Sequence, residues 1–162
     1  MVTADQIIAL VGAIVAADAP EAVVLFGSYA YGTPTDDSDV DLLVVRDHGG
    51  DSNGAAIAIR MAPAVDSAVS FALDLIVRSR PEIAWRVSNR DWFLKEITEQ
   101  GITLYASDDA GVGRQGRERL RGRLPAGAGL TDNALVGADL LPRPAVHREV
   151  PQGSTGRGEQ TL

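Results

Sequence analysis

The chain has 162 residues, a formal net charge of −7 and no cysteine, which excludes a disulfide scaffold and a thiolate zinc site. Its acidity argues against non-specific binding to a nucleic-acid backbone. No apolar run approaches the roughly 20 residues of a membrane-spanning helix, and the start MVTADQ lacks the basic opening of a signal peptide, so a cytoplasmic protein is expected.

The residues are unevenly spread. All eight aromatics lie at or before Tyr105, whereas 10 of the 17 glycines and 4 of the 8 prolines follow it. A core needs large apolar side chains. The folded unit is therefore expected in residues 1–106, with 107–162 as a disordered tail. Residues 1–106 carry 15 acidic against 7 basic side chains, and 107–162 carry 7 against 8. An acidic body suits a site that gathers divalent cations.

In chain order, Thr3 and Gln6 read as a capping box. Ile7, Leu10, Val11, Ile14 and Val15 follow the spacing of an amphipathic helix, ended by Ala19-Pro20. Glu21 to Phe26 is a Val-rich strand broken by Gly27-Ser28, and Ser28 to Gly32 suits a short helical turn. Thr33 to Ser38 is a polar loop. Val40 to Arg46 is a second strand, whose run Leu42-Leu43-Val44-Val45 suggests burial on both faces. Ala55 to Met61 reads as a helix, Ala68 to Val77 as a third strand, and 81–87 and 90–100 as helices. Asn89 is the expected cap of the second of these, and Gly101 its C′ residue. Ile102 to Tyr105 is a final strand. This order predicts a mixed α/β (α+β) fold, a small mixed sheet flanked by helices. Beyond it, the Arg-rich run Gly113 to Arg123 reads as a solvated segment.

The chemistry concentrates in residues 26–45. Asp39 and Asp41 are two apart at the start of a strand, so they point to one face. Two carboxylates that close repel unless a cation lies between them. Mg²⁺ is bound by a few carboxylates together with substrate phosphates. Asp74, inside the apolar stretch Phe71 to Val77, is the candidate third ligand, because an unpaired buried charge is otherwise costly. Gly27 allows close approach of backbone to phosphate, and the Ser28 hydroxyl can donate to phosphate oxygens. Together these pieces read as a site for a nucleoside triphosphate over two metal ions.

Gly27-Ser28, Gly32, Asp39-x-Asp41 and the later Asp74 resemble the motif set of the DNA polymerase beta-like nucleotidyltransferase superfamily. Over residues 1–106, with the ending Gly101-Ile102-Thr103-Leu104-Tyr105, the chain is similar to the minimal nucleotidyltransferases of prokaryotes. The resemblance implies the polymerase beta-like fold, with Asp39, Asp41 and Asp74 as metal ligands and catalytic residues. Asp74 would also help activate the acceptor hydroxyl, and Gly27 and Ser28 would contact the nucleotide. Many relatives carry an Arg between the Ser and the second Gly; Tyr29 and Tyr31 stand there in this chain. Arg46 and Arg78, at strand ends, are candidate substitutes for that charge.

Minimal nucleotidyltransferases are commonly paired with helical HEPN ribonuclease toxins, which some neutralise by transferring AMP from ATP to a tyrosine. The resemblance thus implies Mg²⁺ and ATP, a HEPN protein as partner and an antitoxin role. The alternatives are an antitoxin that only binds its toxin, and a small-molecule enzyme of the aminoglycoside type. The latter usually carries a C-terminal helical domain for its acceptor. Codons able to encode Leu140 to Gly153, read one nucleotide forward, allow strings similar to a HEPN helix. The segment 107–162 is therefore a candidate frameshifted HEPN sequence.

Overall fold

The structure is a computed structural model that describes residues 1–124. The capping box forms as the sequence implies: Thr3 Oγ1 accepts from the Gln6 N–H and Gln6 Oε1 accepts from the Thr3 N–H, and the first helix, α1, runs Ala4–Asp18. Its apolar stripe Ile7, Leu10, Val11 and Ile14 is buried. Ala19, at φ 47°, turns the chain out of the helix.

β1 (Ala22–Phe26) leads directly into α2 (Gly27–Tyr31), and a polar loop brings the chain to β2 (Val40–Val45). There follow α3 (Ser52–Arg60), α4 (Pro63–Ala68), β3 (Leu73–Arg78), α5 (Arg80–Ser88), α6 (Trp92–Gln100), β4 (Ile102–Ala106) and α7 (Ala110–Arg121). The strands form one sheet in the order β3-β2-β1-β4. β1 is antiparallel to both β2 and β4, and β2 is parallel to β3. The mixed sheet flanked by helices is the fold expected. No helix among the described residues is long and apolar enough to cross a membrane.

The pleat divides the side chains between two faces. Val23 and Leu25 of β1, Leu42 and Val44 of β2 and Leu104 of β4 join the larger core with α1, Ile59 of α3, Val65 of α4 and Leu120 of α7. Phe26, Leu43 and Val45 point the other way, into a smaller core closed by Leu94 and Ile97 of α6. β2 is thus covered on both sides, as its unbroken apolar run implied.

Several boundaries move. The third strand starts at Leu73 rather than Ala68, because Pro63, at N1 or N2 of α4, opens a helix that Val65 anchors in the core. Asp91, not Asn89, caps α6 by accepting from the Leu94 N–H. Gly101 is extended (φ −61°, ψ 161°) rather than left-handed. Its small size matters instead, since a Cβ there would lie 2.7 Å from Val24 Cγ1 and against the Ile97 carbonyl oxygen.

The largest change falls in residues 107–124, where no structure was expected. α7 forms there, capped by Asp109, whose Oδ1 accepts from the N–H groups of Gly111 and Val112. The glycines that lower its helix propensity let it lie directly on β4. A Cβ on Gly116 would overlap the Thr103 carbonyl, and one on Gly113 would sit 3.1 Å from Leu104 O. Arg117 donates to Leu104 O at 2.8 Å and Arg121 pairs with Asp5 at 3.3 Å. The remaining expectations for the tail fall on residues 125–162, outside the described residues.

Candidate active site

The site begins where β1 ends. Gly27 has φ +67°, a left-handed conformation that favours glycine. The strand register sets Phe26 opposite Asp41, and a Cβ on Gly27 would overlap the Asp41 carboxylate. The absence of a side chain at 27 is therefore what admits the Asp41 carboxylate. Gly32, at φ +85°, ends α2, and its N–H and that of Thr33 both donate to Ser28 O at 3.0 Å.

Asp41 and Asp74 are register partners across the parallel pair β2–β3. Both side chains leave the sheet on the face of the smaller core. Asp39 precedes β2. Burial, then the charge of Asp74, then that of Asp39, push the Asp41 carboxyl up from 3.8 to about 6. The three predicted carboxylates are thus brought to one end of the sheet, close enough to feel one another. Among the described residues no Lys, Arg or His lies within ion-pair distance of any of them.

The structure corrects the reason given for Asp74. It is exposed, because β3 is the edge of the sheet, so no buried charge needs explaining. Its significance lies in its register with Asp41 alone. Arg46 and Arg78 are also corrected as phosphate partners. They stand at the opposite ends of β2 and β3, and along β2 the distance from Asp41 to Arg46 is about 16 Å at the strand rise. Both are engaged there, Arg46 with Asp18 and Arg78 with Glu82 at 3.1 Å.

The two tyrosines of the loop part company. Tyr29 is fully buried and its hydroxyl accepts from the Val2 N–H at 2.9 Å, so it belongs to the core. Tyr31 faces the site: burial, then the Glu96 carboxylate and, more weakly, Asp41 raise its phenol, against a lowering by a hydrogen bond from the Gly27 backbone. Glu96 of α6 is a site neighbour that sequence reasoning missed. No motif marks it; only the packing of α6 beside β1 brings it there.

The donor set fits a divalent cation in part. Among the described residues no three Asp, Glu or His side chains converge closely enough to enclose an ion by themselves. Mg²⁺ does not require such a cage, since it takes one or two carboxylates and completes its shell with water and substrate phosphates. The unpaired carboxylates around Asp41 and the glycine cradle at Gly27 suit that partial role.

The model of the nucleotidyltransferase domain family matches residues 10–102. The chain belongs to this family. The match places it in the polymerase beta-like superfamily and spans every residue assigned to the site. No curated protein sequence matches the chain significantly. As a nucleotidyltransferase domain, the chain has the fold for nucleotidyl transfer.

Proposed function

We propose that the chain transfers a nucleoside monophosphate, AMP from ATP, to a hydroxyl of a protein, and that it does so in the cytoplasm as the antitoxin of a HEPN ribonuclease. The observation that carries the transfer chemistry is the in-register pair Asp41–Asp74, joined by Asp39, with no cationic partner among the described residues, beside Gly27. Asp39, Asp41 and Asp74 would hold Mg²⁺, which when bound supplies positive charge at the phosphates. Gly27 and Ser28 orient the triphosphate. Asp74, exposed at the sheet edge, is open to an acceptor and takes the proton of its hydroxyl. The acceptor oxygen then bonds to the α-phosphorus, the bond from that phosphorus to the bridging oxygen breaks, and pyrophosphate leaves.

Family membership supports nucleotidyl transfer; the protein acceptor and the HEPN partner rest on the resemblance to minimal nucleotidyltransferases. The test is Mg²⁺-dependent label transfer from α-labelled ATP to a HEPN protein encoded beside this chain. Loss in Asp39→Ala and Asp41→Ala is expected, and undiminished transfer in both would overturn the site. The same locus shows whether a HEPN frame underlies codons 107–162. A second reading, an antitoxin that acts by binding, is favoured by the stretch Ser28 to Gly32, which holds Tyr29 and Tyr31 and no basic residue where many relatives carry an Arg. It predicts that Asp39→Ala/Asp41→Ala still protects cells from the toxin.

A further inference from the structure

We infer that Trp92 and Phe93, at the start of α6, form the stacking surface for the base of the nucleotide, an assignment that rests on the nucleotidyltransfer reading above. Trp92 is 73% exposed and Phe93 39%. A large aromatic left in water forgoes much of the 150–250 Å² it can bury. The two rings are not scattered surface residues. Phe93 meets Phe26 edge-on, with centroids 5.7 Å apart and planes at 87°, and Trp92 meets Phe93 at 6.1 Å and 76°. Phe26 is the register partner of Asp41 and precedes Gly27. An unbroken row of rings therefore leads from the carboxylates to solvent. Neither contact is a parallel stack, so among the described residues no aromatic ring lies flat on Trp92.

Charge selects the occupant. α6 carries Glu96 and Glu99, and its only basic side chain, Lys95, lies 3.8 Å from Glu99. A nucleic-acid strand needs a basic groove beside its stacking residues, and this helix does not supply one. A single base needs only the ring face, because its phosphates are held at Gly27 and the metal-binding carboxylates.

The chain has two tryptophans, and Trp85 is itself exposed. A full-length Trp85→Phe variant therefore makes Trp92 the sole reporter. It is titrated with ATP and, separately, with inorganic tripolyphosphate, each with Mg²⁺. ATP is expected to quench Trp92 emission, whereas tripolyphosphate competes with ATP without quenching. By calorimetry Trp92→Ala weakens ATP about fivefold or more and leaves tripolyphosphate binding unchanged. Equal weakening of both ligands, or unchanged ATP affinity in Trp92→Ala, overturns the inference. A Trp92→Ala effect confined to the KM of the protein acceptor also overturns it and gives the shelf to the acceptor. Failure of both ATP and tripolyphosphate to bind, or undiminished transfer by Asp39→Ala and Asp41→Ala, instead overturns the underlying reading.

Discussion

Asp41 carries the tension of the site. Its carboxyl holds its proton up to about pH 6 in the folded chain, against 3.8 for the unfolded group. Between those values the folded state binds more protons, so stability falls as pH rises through this window and is flat above it. A two-unit shift corresponds to about 3 kcal/mol at most, and solvent screening at this half-buried position reduces it to about 1 kcal/mol. In metal-free protein, Asp41→Asn should melt above the native chain near pH 7, with the difference closing toward about pH 4. A difference independent of pH would show that the carboxyl titrates normally. Mg²⁺ added near pH 7 should raise the native melting temperature and leave that of Asp41→Asn nearly unmoved. Gly27→Ala tests the same contact from the other side. Its Cβ overlaps the Asp41 carboxylate and its φ is positive, so nucleotidyl transfer should be lost, with about 1–3 kcal/mol of stability.

At the scale of elements, α7 shows how packing overrides propensity. Its three internal glycines and four arginines read as an unstructured basic run. Gly113 and Gly116 are small because β4 lies against them. Gly116→Ala should therefore destabilise by about 1–3 kcal/mol through forced separation of α7 from β4. Gly122→Ala is the control. Nothing lies nearer than 3.6 Å to its added Cβ, and its φ of −73° suits any residue. It should be neutral or stabilise by about 0.4–1 kcal/mol. Thermal melts of the two variants separate a packing role from simple helix propensity. α6 is the converse case. Its span was readable as a helix over 90–100, but its neighbours were not. Only the fold sets Phe93 on Phe26 and Glu96 beside Tyr31.

For the molecule as a whole, the boundary of the folded unit lies beyond the one that composition implies. Leu120 and Leu124 are buried in the larger core, and α7 covers Leu104 and Ile102 on β4. A chain ended at Ala106 should melt well below one ended at Leu124. The loss of two buried leucines alone costs about 3–6 kcal/mol, enough to remove cooperative unfolding from a small domain. Equal melting temperatures would show that α7 adds nothing to the core. The two ends of the sheet also divide the charge. Paired ions (Arg46–Asp18, Arg78–Glu82, Arg80–Glu21) close one end, and Asp39, Asp41 and Asp74, without an ion pair among the described residues, lie at the other.

The sequence by itself determined the succession of strands and most helices along the chain, the double-sided burial of β2 and the three carboxylates. These follow from local periodicity, breakers and spacing, which a single strand or helix expresses without its neighbours. Only the tertiary structure decided which carboxylates meet and why. Asp74 faces Asp41 through a parallel register and an edge position, not through burial. The same fold withdrew Tyr29 into the core, sent Arg46 and Arg78 to the far end, and turned an arginine- and glycine-rich segment into a packed helix. Each depends on contacts between residues far apart in the chain, which no local pattern records.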